Sequence, residues 1–199
     1  GYLDQRGLGA EARTMFRIGY APADGQAIRK YLQAEGFTDA QMLEVALIKN
    51  SAKGGQPYAF FRDRVMFPVS DKRGRVVAFG GRILPAHMRP PAQGDFEPPK
   101  YINSSDTPLF DKGRMLYGEN FVRQNARQGH TVLVTEGYMD VIACHMAGFK
   151  GAVAPMGTAL TESQILLLWS MSKDSGKTPV LCFDGDNAGR RAASRGVER

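Results

Sequence analysis

The strongest constraint on the fold is the alternation of apolar runs and helical segments after residue 130. Three apolar runs are typical of buried strands, and a helical pattern follows each of them. The runs cover residues 131–135, 151–156 and 178–183, and the helical segments cover 139–148, 161–172 and 187–199. This alternation predicts an α/β fold with a parallel sheet and right-handed crossovers. In such sheets, ligands bind outside the carboxyl ends of the strands.

Acidic residues follow two of these apolar runs. Glu136 comes directly after the first run, and Asp184 and Asp186 flank Gly185 after the third. Because the carboxyl ends of parallel strands meet at one edge, the three carboxylates are expected to converge there and to repel one another unless cations bridge them. Mg²⁺ prefers oxygen ligands. The pattern therefore predicts a site that handles phosphates through metal ions.

Two neighbouring segments bear on the same crevice. Asn187 begins a helix whose free N–H groups favour an anion, and residues 157–161 form either a loop that lines the crevice or a helix entry capped by Thr161. Taken alone, Asp184-Gly185-Asp186 is also compatible with an ordinary surface turn, since this combination is common in loops. Its position directly after an apolar strand favours the metal site.

The first part of the chain has a different pattern. A helix is predicted over residues 39–48 with Thr38 or Asp39 as its cap. Strands are predicted at 64–69 and 75–79, joined by a hairpin turn at 71–74 that contains Gly74. We therefore predict a mixed α+β N-terminal subdomain over residues 1–129 and a parallel-sheet subdomain over residues 130–199.

The surplus of positive over negative charge lies in the first subdomain. The net charge is +6, and residues 1–129 contain 19 Lys and Arg against 13 Asp and Glu, whereas residues 130–199 contain 7 of each. A basic surface beside an acidic crevice is expected when the partner is a polyanion. A solvated basic face without a partner is the equally open alternative.

The sequence also excludes some classes of protein. No apolar run approaches the roughly 18 residues of a membrane span, and Cys144 and Cys182 do not follow zinc or disulfide spacing. We expect a cytoplasmic protein without a membrane partner.

Ordered blocks across nearly the whole chain resemble the catalytic core of bacterial replicative primase, the DnaG type. Glu136-Gly137 with Asp140 matches the first acidic motif of its Toprim domain, and Asp184-Gly185-Asp186 matches the Asp-x-Asp motif. The other matching blocks lie within residues 2–8, 16–22, 64–68, 74–82, 99–104, 107–113 and 136–141. The resemblance implies a basic N-terminal subdomain followed by a Toprim subdomain.

The resemblance also implies an activity. Primases of this family are nucleotidyltransferases that copy a single-stranded DNA template into a short RNA primer from ribonucleoside triphosphates, with Mg²⁺ or Mn²⁺. By this resemblance Asp184 and Asp186 hold the metal, and Glu136 acts as a metal ligand or general base. We expect a monomer that works at the replication fork.

Basic residues beside the crevice contact nucleic acid and nucleotide phosphates in this family. Carried over to this chain, they are Arg6, Arg82, Lys100 and Lys112, with Tyr101 nearby as a base-stacking residue. Each has a structural alternative: Arg82 as an exposed strand-end charge, Tyr101 as a core aromatic residue, and Arg6 as a partner for Asp4 or Glu11.

Parts of the family pattern do not occur in this sequence. The zinc-binding module, the C-terminal domain that contacts the replicative helicase, and an acidic pair downstream of the Asp-x-Asp motif are absent. We interpret the chain as a fragment with an incomplete Toprim sheet, whose isolated activity the sequence leaves open. A Toprim topoisomerase or nuclease and a catalytically silent nucleic-acid-binding fragment are the alternative functions.

Overall fold

The computed structural model describes residues 1–52, 54–90, 97–126, 128–157, 159–173 and 176–197. These residues form two compact units. The first unit comprises residues 1–16, 69–76 and 111–199, and the second comprises residues 17–68 and 77–110. Residues 91–96, within the Pro-rich stretch, lie outside the described residues.

Eight α-helices and ten strands are present in the described part of the chain. The helices are α1 (Tyr2–Gln5), α2 (Ala10–Met15), α3 (Ala27–Ala34), α4 (Asp39–Glu44), α5 (Glu119–Ala126), α6 (Tyr138–Met146), α7 (Glu162–Lys173) and α8 (Asn187–Val197). The strands are β1 (Gly19–Ala21), β2 (Ile48–Lys49), β3 (Tyr58–Ala59), β4 (Arg64–Ser70), β5 (Val76–Ile83), β6 (Tyr101–Asn103), β7 (Leu116–Tyr117), β8 (Leu133–Val134), β9 (Ala152–Pro155) and β10 (Val180–Leu181).

The sheet of the first unit confirms the predicted α/β fold. Its strand order is β10-β8-β9-β7, and β10, β8 and β9 run parallel. The fourth strand, β7, pairs antiparallel with β9 and comes from before residue 130. The predicted subdomain boundary between residues 129 and 130 stays a prediction.

The core of this unit lies around the two central parallel strands. Val132, Val134 and Val153 are completely buried, and Leu168 and Met171 of α7 pack with them. The strand predicted at residues 178–183 is buried on one face only: Leu181 packs against the core, whereas Val180 is 47% exposed. The prediction of a fully buried strand is wrong here because successive side chains of a strand point to opposite faces of the sheet, and the described residues leave the Val180 face uncovered.

Gly151 allows the central pair of strands to approach closely. Its carbonyl accepts the N–H of Leu133 at 2.9 Å, and a Cβ on Gly151 would lie 1.9 Å from the carbonyl oxygen of Thr131. Only glycine fits this position without a shift of the backbone.

The strand pair predicted in the first half of the chain is present, and most of its residues lie in the second unit. A sheet of order β1-β4-β5-β6 includes β4 and β5, whose connecting turn has Gly74 at φ +80°. Thr38 caps α4 as predicted, because its side-chain oxygen accepts the N–H of Gln41. The helix is shorter than predicted and ends at Glu44, since Ala46 takes φ +55° and Ile48 then enters β2.

In the described part of the chain, no helix is both long enough and apolar enough to cross a membrane.

A buried histidine makes the stability of the first unit depend on pH. His145 of α6 is 1% exposed, its Nε2 lies 3.2 Å from the carbonyl oxygen of Ala152, and its ring packs against Phe16 and Phe121. Burial lowers the pKa of His145 below its ordinary value of 6.5, the contact with Ala152 opposes this, and positive Lys150 adds to it.

We expect the free energy of unfolding to fall as the pH drops below about 6.5, because the unfolded chain then binds a proton that folded His145 resists. For one group the slope is at most about 1.4 kcal/mol per pH unit. Urea unfolding between pH 7.5 and 5.5 would measure it, with His145→Gln as the control that cannot titrate. Equal pH dependence in both proteins would contradict this assignment.

Candidate active site

Glu136 and Asp184 lie together at the carboxyl edge of the parallel strands. Glu136 follows β8, Asp184 follows β10, and the two strands are parallel neighbours. The backbone N–H of Asp184 donates to Oε1 of Glu136 at 2.8 Å. Both residues are exposed, so their remaining carboxylate oxygens are open to solvent.

One carboxylate oxygen of Asp186 accepts hydrogen bonds from the backbone of α8. Its Oδ1 accepts the N–H of Ala188 at 2.9 Å and the N–H of Gly189 at 2.8 Å. The expectation that the first N–H groups of α8 are free to bind an anion is therefore wrong for these two groups. The reason is local, since an Asp just before a helix reaches the donors of its first turn and caps them. Oδ2 has no hydrogen-bond partner among the described residues.

Gly189 is a positioning residue that the sequence analysis missed. It is buried in the first turn of α8. A Cβ on this residue would lie 2.2 Å from the carbonyl oxygen of Asp184 and 2.7 Å from Oε1 of Glu136. The absent side chain thus lets the helix start pass directly beside the contact between the two acids. A glycine inside a helix, which costs about 1 kcal/mol relative to alanine, was the available signal.

Asp140 lies close enough to sense the charge of the acidic pair. Its Oδ2 accepts the N–H of Gly137 at 3.0 Å. Partial burial raises the pKa of Asp140, the bond from Gly137 opposes this, and the negative charge of Asp184 raises it further. Mutual repulsion of carboxylates is therefore present at this edge, and a cation would relieve it.

The donor set fits a magnesium ion, although it is not a closed cage. Among the described residues, no three His, Cys, Asp or Glu side chains are close enough together to hold a metal ion. Mg²⁺ keeps several of its waters and is commonly bound through one or two carboxylates together with substrate phosphates. In that mode, one or two of the exposed carboxylates of Glu136, Asp184 and Asp186 would bind the ion together with substrate phosphates.

A cleft of about 420 Å³ adjoins Glu136. Phe183 and Gly189 line it on one side, and Arg191 and Arg195 of α8 add positive charge. Gly157, Ala159 and Leu160 also line it. The loop predicted at 157–161 therefore borders the crevice, and Thr161 also caps α7, since its Oγ1 accepts the N–H of Gln164 at 3.1 Å. Thr158 lies outside the described residues.

Two of the predicted basic residues belong to the first unit. The Lys112 side chain is exposed. The backbone carbonyl of Lys112 accepts a hydrogen bond from Nε2 of Gln164 at 2.9 Å, which connects this backbone to α7. Arg6 is exposed. Asp4 pairs with Arg13 at 2.7 Å, so the structural alternative in which Arg6 neutralises Asp4 is not what the structure has.

The other three predicted nucleic-acid contacts lie side by side in the second unit. Arg82 on β5 is opposite Tyr101 on β6. Its Nε donates to the Tyr101 hydroxyl at 3.0 Å, and its guanidinium carbon lies 5.7 Å from the centre of the Tyr101 ring. Tyr101 is 39% exposed, so it is not a core residue. The neighbouring Lys100 is exposed as well.

Comparison with family models covers almost the entire chain. Residues 1–123 match the model described as "DNA primase catalytic core, N-terminal domain", and residues 130–199 match the Toprim domain. Family models thus match both residues 1–123 and residues 130–199.

Curated relatives give the same result. A DNA primase of Pseudomonas aeruginosa is 43% identical over 197 residues, which are 99% of this chain and 28% of the relative. A DNA primase of Deinococcus radiodurans is 41% identical over 198 residues, which are 100% of this chain and 32% of the relative. The chain therefore spans about a third or less of the length of these relatives.

Solved structures share the fold. The RNA polymerase domain of Mycobacterium tuberculosis primase DnaG has a TM-score of 0.86 and 32% identity, and the match covers 100% of this chain and 62% of that one. A structure described as the DnaG primase catalytic domain bound to ssDNA has a TM-score of 0.80 and 38% identity, with 99% of this chain and 59% of that one covered.

Proposed function

This chain belongs to the DnaG-type DNA primase family, and we propose that it is part of a polymerase core that copies single-stranded DNA into short RNA primers. The observation that carries the proposal is the contact between Asp184 and Glu136 at the carboxyl edge of parallel strands. Homologues named DNA primase support it. The subdomains proposed for this core are residues 1–129 and 130–199.

The reaction is a nucleotidyl transfer. The primer 3′-hydroxyl oxygen forms a bond to the α-phosphorus of a ribonucleoside triphosphate and loses its proton. The bond between the α-phosphorus and the oxygen that bridges the α- and β-phosphates breaks, and pyrophosphate leaves. One or two of the carboxylates of Glu136, Asp184 and Asp186 would hold Mg²⁺ or Mn²⁺ together with the phosphates of the nucleotide. The ion supplies activation of the hydroxyl and neutralisation of phosphate charge. Identification of the metal as Mg²⁺ is part of the proposal.

The residues of the chain have separate tasks in this scheme. Glu136 uses Oε1 to hold the Asp184 backbone, which orients its carboxylate and leaves Oε2 for a metal ion or for the departing proton. Asp186 uses Oδ1 to hold the start of α8, which fixes its carboxylate at the crevice. Positioning and charge neutralisation, rather than covalent catalysis, account for such transfers.

Template and nucleotide binding are assigned to the basic residues. Arg82 and Lys100 bind phosphates of the nucleic acid, and Tyr101 offers a face on which a base stacks. Arg6 and Lys112 bind phosphates in the same way on the first unit. The ssDNA named with a related catalytic domain is consistent with this assignment.

The remaining partners follow from the same proposal. The protein works as a monomer in the cytoplasm, at the replication fork. Its contact with the replicative helicase is made by a domain other than this core. Zinc has no role within these residues. A Toprim topoisomerase is the less favoured alternative, because the residue 1–123 match is to a primase core.

Primer synthesis by the full-length protein that carries this sequence tests the proposal. We expect labelled ribonucleotides to enter short RNA only when a single-stranded template and Mg²⁺ or Mn²⁺ are both present, and EDTA to abolish the product. Binding of the 199-residue chain to the same template should weaken steeply with salt. Template binding without synthesis would favour the silent binding module, and relaxation of supercoiled DNA would favour a topoisomerase.

A further inference from the structure

Arg64, the first residue of β4, is a buried cation. It is 4% exposed, and its Nη1 donates to the carbonyl oxygens of Gly81 at 3.2 Å and Pro99 at 3.0 Å, with that of Lys100 at 3.5 Å. No carboxylate pairs with it among the described residues. Burial lowers the pKa of Arg64, and the positive charge of nearby Arg89 lowers it further. Two arginines therefore lie close together here.

The packing around Arg64 is tight. A Cβ on Gly81 would lie 2.9 Å from Cδ of Arg64 and 2.7 Å from Cδ1 of Phe61. The arginine stem therefore passes directly beneath the backbone of β5, in space that any residue larger than glycine at position 81 would enter. This contact places the guanidinium between β5 and the segment that leads into β6.

The bonded carbonyls immediately precede the basic and aromatic residues of the proposed template surface. Gly81 is followed by Arg82, and Pro99 and Lys100 are followed by Tyr101. The N–H of Ile83 also donates to the Lys100 carbonyl at 2.9 Å. Arg64 thus joins the two backbone segments that present Arg82, Lys100 and Tyr101.

We propose that Arg64 is a positioning residue for nucleic-acid binding, which aligns Arg82, Lys100 and Tyr101 through their backbones and adds positive potential beneath them. The inference rests on the proposed template contacts. An apolar residue of similar volume would avoid the cost of burying a charge, but it could not donate to carbonyls on two segments at once, as Nη1 of Arg64 does. The buried charge is also less screened by salt than a surface lysine.

Fluorescence anisotropy of a labelled oligo-dT with the 199-residue chain tests this role. We expect Arg64→Met to weaken binding by about tenfold. We also expect the slope of log affinity against log salt concentration to become shallower by about one or more, which corresponds to the loss of at least one phosphate contact. Arg64→Lys keeps the charge but ends in a shorter side chain, which would not place a donor where Nη1 of Arg64 lies, and it should recover part of the affinity but not the full salt dependence.

The control is Val65→Ala on the same strand. Val65 is 4% exposed and faces the opposite side of the sheet, so its truncation lowers stability without removing a donor to Gly81 or Pro99. We expect its DNA affinity to equal that of the wild type at a temperature at which circular dichroism shows all variants folded. If Arg64→Met does not fold, Arg64→Lys against Val65→Ala decides the matter.

Wild-type affinity and salt dependence in folded Arg64→Met, or in Arg64→Lys if that is the folded variant, would overturn the positioning role and leave the proposed function intact. An equal loss in Val65→Ala would overturn it too, because general destabilisation would then explain the effect. Absence of DNA binding by the wild type would instead contradict the proposed template contacts on which the inference rests.

Discussion

Primer synthesis should fall by at least about 100-fold when Asp184 is replaced by Asn or Glu136 by Gln. Removal of one preorganised electrostatic group from a catalytic site commonly costs a factor of about 100 to 1,000. In Glu136→Gln the amide keeps an oxygen that can accept the N–H of Asp184, which Glu136 Oε1 accepts at 2.8 Å. The loss would therefore report the charge of the carboxylate and not the hydrogen bond that it makes to the backbone.

Glu44→Gln is the matched control for this experiment. Glu44 is exposed at the end of α4 in the second unit, and its substitution removes the same charge without touching the acidic edge. Assays of the full-length protein would follow incorporated ribonucleotide, and Mn²⁺ titration calorimetry would follow metal affinity. Full activity in Asp184→Asn or Glu136→Gln would show that the metal-site assignment is wrong.

The second large effect is expected from the smallest change, Gly189→Ala. The added methyl group would lie 2.2 Å from the carbonyl oxygen of Asp184 and 2.7 Å from Oε1 of Glu136. Neither atom belongs to a flexible side-chain end that is free to move, because one is backbone and the other is hydrogen-bonded to Asp184. The acidic pair must therefore separate, and we expect primer synthesis and Mn²⁺ affinity to fall together, by about tenfold or more.

Gly196→Ala on the same helix separates this effect from helix propensity. Its Cβ would meet only side-chain atoms, Cδ1 of Leu181 at 3.2 Å and Cδ1 of Leu160 at 3.6 Å. Each substitution gains at most about 1 kcal/mol of helix propensity, so Gly196→Ala should keep its activity, with a melting temperature equal to or slightly above that of the wild type. Wild-type metal affinity in Gly189→Ala would show that the close approach has no role in the site.

Much of the fold could be predicted because local sequence and tertiary structure agree. The apolar run at 131–135 contains β8, Thr161 caps α7, and Gly74 supplies the positive φ of the turn between β4 and β5. Periodicity and capping depend on neighbouring residues, which a sequence displays directly. The convergence of Glu136 and Asp184 followed from strand direction alone.

Other features depended on neighbours distant in the chain. The run at 178–183 resembles a buried strand, yet only the face with Leu181 packs against the core, and Val180 on the other face is 47% exposed. The helix predicted through Ile48 ends at Glu44 because β2 pairs with β3. Apolar composition indicates that a segment is a strand, but it does not indicate which faces of the strand the rest of the chain covers.

The type of fold, the edge at which the acids meet and the residues that carry charge could all be read from the sequence, since they follow from period, strand direction and side-chain chemistry. Three roles are visible only in the folded chain: Asp186 caps α8, Gly189 leaves room for Glu136 and Asp184 to meet, and Arg64 is buried beneath Arg82. Those roles depend on distances of a few ångströms between segments remote in the chain, and no local pattern of residues encodes such distances.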